Sequence, residues 1–175
     1  MLRKKDPLRK GFELLYTTRL LKTRVSRVQS RLNDRIGELS KRMLDLETRG
    51  EGYLAKRYAE EIAKLKELSR RMDTLLLVVD KVDLAIQHAL VLKEFNSLSR
   101  ELAVLLKDVT KLPEAHMPDV GILFADLEES VRELSSLTGT WSTGTLNHAH
   151  PTDTEVKAIL AEAREILRKN LEPGS

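Results

Sequence analysis

Between residues 21 and 46 the chain carries two patterns at once, and a long helix satisfies both. Apolar residues fall at Leu21, Val25, Val28, Leu32, Ile36, Leu39, Met43 and Leu46, in steps of three and four that gather them on one helical face. At about 100° per residue, Arg24, Arg27, Arg31, Arg35 and Arg42 fall roughly a quarter-turn away. Only Asp34 and Glu38 are acidic in residues 21–42, whereas an ordinary solvent face mixes both signs. One side of the helix is a seam for another helix. The adjoining side offers guanidinium groups to something anionic, with a plain solvated face as the competing explanation.

The same helix extends back through Leu15, Phe12 and Leu8 to Pro7, which suits a first helical turn. The spacing therefore predicts a helix over 8–48 behind a basic arm, residues 1–7. Arg49-Gly50-Glu51-Gly52 breaks it, and a link this short between long helices implies an antiparallel hairpin. The second arm is predicted over 53–110. Its seam reads Tyr58, Ile62, Leu65, Met72, Leu76, Val79, Ile86 and Leu90, interrupted by Ser69 and Asp83. A phase slip around 93–97 precedes Leu98, Leu102, Leu105 and Val109. This arm outruns the first by about 20 residues, so its far end needs another partner.

Pro113 closes the second arm and Pro118 starts an acidic helix over 118–137. Leu123 or Phe124, Leu127, Val131 and Leu134 form its inward side, with Asp126, Glu128, Glu129 and Glu133 outward. Residues 138–151 are small and polar, a flexible linker. Thr152 and Glu155 form a capping box for a last helix, residues 152–172, with Val156, Ile159, Leu160, Ala163, Leu167 and Leu171 on one side. An amphipathic helix on a tether is a docking element. The expected fold is all-α: a long antiparallel hairpin, a short acidic third helix packed on it and a tethered C-terminal helix. The hairpin and acidic helix, residues 8–137, make the core.

Composition narrows the function classes. Aromatic residues are only 4% of the chain, the profile of long helices binding along their length rather than around a pocket. The absence of cysteine excludes a disulfide scaffold, a thiol nucleophile and a zinc finger. His148 and His150 flank one alanine, but two imidazoles without a third fixed ligand make a poor metal site, so neither metal nor cofactor is expected. Glu60-Glu61 and Glu128-Glu129 lie on helical surfaces with no pocket to tune them, which argues against an enzyme and a small-molecule substrate. Trp141, the lone tryptophan, packs locally or anchors a partner. No stretch approaches the ~20 apolar residues of a membrane span. The net charge of +3 hides a gradient: residues 1–42 carry 13 Lys/Arg against 4 Asp/Glu, and residues 113–150 carry 1 against 6. A basic head and an acidic rear can attract each other within one copy or between copies.

The order of parts resembles the ESCRT-III family, specifically its archaeal cell-division members. The likeness is closest at residues 43–49, at Tyr58-Ala59-Glu60-Glu61-Ile62, at Leu65-Lys66, and from Pro118-Asp119-Val120 to Leu127-Glu128-Glu129-Ser130-Val131. The resemblance implies a membrane-remodelling protein that polymerises on anionic bilayers and is dismantled by an AAA ATPase. The membrane face would be Leu2, Arg3, Lys4, Lys5, Lys10, Phe12, Arg24, Arg27, Arg31 and Arg35. The polymer and hairpin seam would be Leu32, Leu39, Met43, Tyr58, Ile62, Leu65, Met72, Leu76 and Val79. Asp126, Glu128, Glu129 and Glu133 would form an autoinhibitory or inter-subunit surface. The ATPase would read Ile159, Leu160, Arg164 and Leu167, although Arg164 follows Leu160 by four residues where the family's docking helix has a spacing of three. Partners would be further copies, paralogous subunits, the anionic membrane and the ATPase, at the cytoplasmic face of the plasma membrane or a division site. Two other classes compete: a basic coiled-coil protein binding nucleic acid and a soluble helical-bundle adaptor. The first lacks stacking aromatics beside the arginine row.

Overall fold

Asp6 opens the first helix: its carboxylate accepts the Arg9 backbone N–H at 3.0 Å and Pro7 occupies the first turn, so the otherwise orphaned donor is satisfied. The computed structural model describes residues 6–141 and 153–171. Within them lie α1 (Pro7–Thr48), α2 (Gly52–Leu92), α3 (Phe95–Val109), a single 3-10 turn (Pro113–His116), α4 (Pro118–Trp141) and α5 (Asp153–Asn170). The fold is all-α and built on the expected hairpin. Its link closes at Gly50, whose φ of 77° is open to glycine without strain. The Glu51 N–H returns to the Leu46 carbonyl at 2.9 Å, which satisfies a helix-end acceptor.

The second arm differs from its expected span. It is two helices, because Lys93 adopts a left-handed conformation (φ 58°) and ends α2. The Glu94 N–H bonds back to the Ala89 carbonyl at 3.0 Å, and α3 then folds back along α2, so that Leu105, Leu106 and Val109 share a small apolar void with Val78, Val79 and Val82. The far end of the arm therefore finds its partner inside the molecule. The phase slip at 93–97 marks the reversal.

Helices α3, α4 and α5 form a second layer over one half of the hairpin. Helix α4 lies along α1, held by Arg31 to Asp119 at 3.2 Å and by Lys10 to Glu133. Helix α5 lies antiparallel along α2, with His88 to Glu155 at 3.4 Å, Lys81 to Glu162 at 3.2 Å and Arg70 to the Asn170 carbonyl at 3.3 Å. Helix α3 touches both. The main core accordingly draws Leu14, Leu21 and Val25 from α1 and Met72, Leu75, Val78, Val82 and Ile86 from α2. Between residues 33 and 67 nothing joins it. There the hairpin is two helices alone, sealed by Leu39, Ala55 and Ile62.

Two further expectations change. Residues 138–141 belong to α4 rather than to a linker, and Thr138 is buried with its hydroxyl donating to the Leu134 carbonyl at 3.0 Å. The last helix is docked rather than free: Val156, Leu160, Ala163, Leu167 and Leu171 are all buried in the main core. The rest of the linker, His148, His150 and Thr152 lie outside the described residues, as do Leu2, Arg3, Lys4 and Lys5.

Candidate anion-binding and assembly surfaces

The arginine row is real as a face of α1 but uneven in what it can offer. Arg27 is exposed and Arg24 half-buried, and no described carboxylate pairs with either. Arg31 is engaged by Asp119 of α4 and Arg35 by Glu38 of its own helix at 3.3 Å. Both of these contacts are solvent-exposed, and such pairs hold weakly, at about 0–1 kcal/mol each. A dense anionic surface can therefore compete for all four guanidinium groups.

Lys10 is a different case and corrects its expected place on an open face. Its side chain is 4% exposed, bridging Glu13 at 2.5 Å on its own helix and Glu133 on α4. Burial works against the ammonium charge, but the hydrogen bonds and charges of the two glutamates outweigh it and raise the lysine pKa. Glu133, expected outward, is thus turned toward α1. Lys10 fastens α4 to the rod and is unavailable to an external anion while α4 stays in place.

Phe12 is 57% exposed. With Arg9, Tyr16 and Thr17 it walls a shallow groove whose other side is Asp126, Glu129 and Ser130 of α4. Glu128 points the other way, into a groove between α3 and α4 shared with Lys107, Thr110 and Arg132. The four acidic residues therefore divide among three surroundings. None of the described His, Asp or Glu side chains gather in the threes a metal ion needs.

The assembly seam divides at the boundary of the second layer. Met72 and Val79 are buried and Leu76 is half-buried within or against the main core. Leu39 and Ile62 are buried between α1 and α2 alone, and Met43, Tyr58 and Leu65 remain half-covered there. Leu44, Tyr53 and Leu54 near the turn are exposed. The distal hairpin thus leaves apolar surface that no described residue covers.

Two features escape the periodicity argument. Arg71 on α2 meets Glu114 of the 3-10 turn in a two-pronged pair, its Nη2 donating to Oε2 at 3.1 Å. Burial pushes the Glu114 carboxyl up, yet the hydrogen bond and charge of Arg71 prevail and lower its pKa. This pair pins the α3–α4 corner to the middle of α2. Nothing in the local pattern marks Glu114, because its partner lies on another helix. On α5, Leu160 and Leu167 are fully buried, Ile159 is partly buried, and Arg164 pairs with Asp108 of α3 at 3.2 Å. The residues offered for ATPase docking thus face this molecule's own α2 and α3.

Among the described residues no helix is long and apolar enough to cross a membrane. No known family model matches the chain, and no solved structure matches it.

Proposed function

We propose that this chain is the subunit of a membrane-remodelling filament, held here in a closed form with its acidic helix against its basic rod. The observation that supports this most is the unequal cover of the hairpin. One half is a five-helix bundle; the other is a bare pair with exposed Leu44, Tyr53 and Leu54, a shape that identical neighbours can complete. The arginine row runs along the same rod across the boundary between the halves. Each basic side chain near an anionic leaflet contributes about 1 kcal/mol, so one subunit binds modestly and salt weakens it. Repetition along a filament multiplies the hold.

In this reading Arg31 and Lys10 serve twice. Closed, they bind Asp119 and Glu133 of α4; opened, they face lipid or the acidic helix of the next copy. The cytoplasmic leaflet, rich in anionic lipid, is the fitting surface, and constriction or severing of a membrane neck is the fitting task. An AAA ATPase acting on α5 has first to lift Leu160 and Leu167 out of the core.

Electron microscopy with co-sedimentation on phosphatidylserine vesicles tests the proposal. The wild-type chain should pellet and form threads, rings or tubes, less so at high salt. Arg24, Arg27, Arg31 and Arg35 changed together to Glu should abolish pelleting with helical circular dichroism intact. Pelleting unchanged in that variant rejects the assigned face. Release from vesicles by stoichiometric duplex DNA, with no filaments on lipid, would instead favour nucleic-acid binding, since the electrostatic attraction is common to both polyanions.

A further inference from the structure

The corner where α2 turns into α3 carries apolar side chains with little to pack on. Val91 is 79% exposed and Leu92 39%. The corner seats against α1 at Gly11, where an added Cβ would lie 2.8 Å from Leu90 Cδ2 and 3.0 Å from Phe95 Cε1. Leu8, also 39% exposed, precedes Gly11 by one turn on the same side of α1. Leu8, Val91 and Leu92 therefore share one end of the bundle.

Two cations flank this tip: the side chains of Arg9 and Lys93 are exposed and pair with no described carboxylate, and in sequence Arg3, Lys4 and Lys5 precede α1. Three acidic groups are near: Asp6, committed to capping α1, Glu94, half-buried at the turn, and Glu155, paired with His88 one turn before Leu92. Lys93 holds its left-handed backbone without being glycine, at a cost of about 1–2 kcal/mol. The side chain that bears this cost is a cation adjoining the two apolar residues. Apolar tips flanked by an unpaired Lys and Arg match the interfacial layer of an anionic bilayer, where hydrocarbon reaches the acyl boundary and the cations stay among headgroups.

We propose that Leu8, Val91 and Leu92 insert into the headgroup boundary of an anionic membrane, a contact separate from the arginine row and placed at the bundle end of the rod. This inference rests on the membrane reading above and specifies a surface for it.

The test uses the full chain with two vesicle sets, phosphatidylcholine with and without phosphatidylserine. V91E/L92E should keep its helical circular dichroism and bind the anionic vesicles about tenfold more weakly than wild type. Because the chain has no cysteine, Val91→Cys carries a single environment-sensitive fluorophore. Its emission should brighten and shift to the blue on anionic vesicles, while the same label at Ala161→Cys, exposed on α5 away from both the corner and the bare hairpin, should change far less. Equal pelleting of V91E/L92E, or equal responses at 91 and 161, overturns the corner contact and leaves the membrane reading standing. Absence of wild-type pelleting removes both. Pelleting of wild type on uncharged vesicles alike would mean that the cations play no part, and would overturn the proposed anionic preference.

Discussion

Leu21 and Leu39 lie on the same face of α1, about five turns apart, and both are almost fully buried. Their surroundings nevertheless differ. Leu21 joins α1 to α2, α3 and α4 around a shared void, whereas Leu39 belongs to the stretch where α1 meets α2 alone. The bundle half of α2 is buried at Leu75, Val78, Val79, Val82, Ala85 and Ala89, and the distal half only at Ala55 and Ile62. One continuous pattern thus supports two structures of unequal strength. A seam specifies that a partner exists, and the partner's number of layers is decided by chain far away in sequence.

The comparison is broken or sharpened most strongly by core truncation. Leu98→Ala, in the middle of the second layer and fully buried, should cost about 3–5 kcal/mol by urea denaturation. Leu65→Ala, half-covered in the bare pair, should cost about 1 kcal/mol. Equal losses would mean that the two halves fold as one evenly packed unit.

Next in size is the pin between layers. Arg71→Ala leaves Glu114 buried without its partner and should cost about 3 kcal/mol at pH 7. The folded pKa of Glu114 is lowered from 4.5, so the pair's contribution is full above that value and fades as pH falls through the folded one. The gap between wild type and Arg71→Ala should therefore narrow in denaturation series at pH 7, 5 and 3. A constant gap would show that the carboxylate charge is not what Arg71 holds.

Smaller effects come from the backbone. Lys93→Gly removes the left-handed strain and should raise stability by about 1 kcal/mol, read as a raised melting temperature. Gly37→Ala should add up to about 1 kcal/mol, since a Cβ there meets nothing within 4 Å. The same change at Gly11 should yield no gain, because the Cβ would press on Leu90 and Phe95. The two glycines of α1 thus report separately on the bare half and the bundle half.

Much of this was legible from periodicity. The hairpin, its turn at Gly50 and the inward face of α4, with Leu123, Phe124, Leu127, Val131 and Leu134 buried, follow from spacing and turn chemistry. The reversal at Lys93 showed only as the phase slip over 93–97, which did not reveal a turn, since lysine carries no signature for positive φ and the apolar pattern resumes beyond it. The deeper burial of the bundle half of α2 had a signal in the unbroken run Leu75-Leu76-Leu77-Val78-Val79, because a wider apolar arc asks for more than one neighbouring helix, although Leu77 stays exposed. The docking of α5 had a fainter one, the small residues Ala85, Ala89 and Ala163, which let helices approach closely. The fate of Lys10 was not legible at all: whether a lysine meets lipid or a glutamate depends on which helix comes to lie beside it.

Hydrogen exchange of the purified chain, with and without phosphatidylserine vesicles, tests the central claim most directly. Amides at 33–47 and 53–67 should exchange faster than those of the bundle half in the free protein, and should gain protection on the vesicles under conditions that yield filaments. Distal amides that exchange identically in both samples would contradict a hairpin completed by its own copies on a membrane.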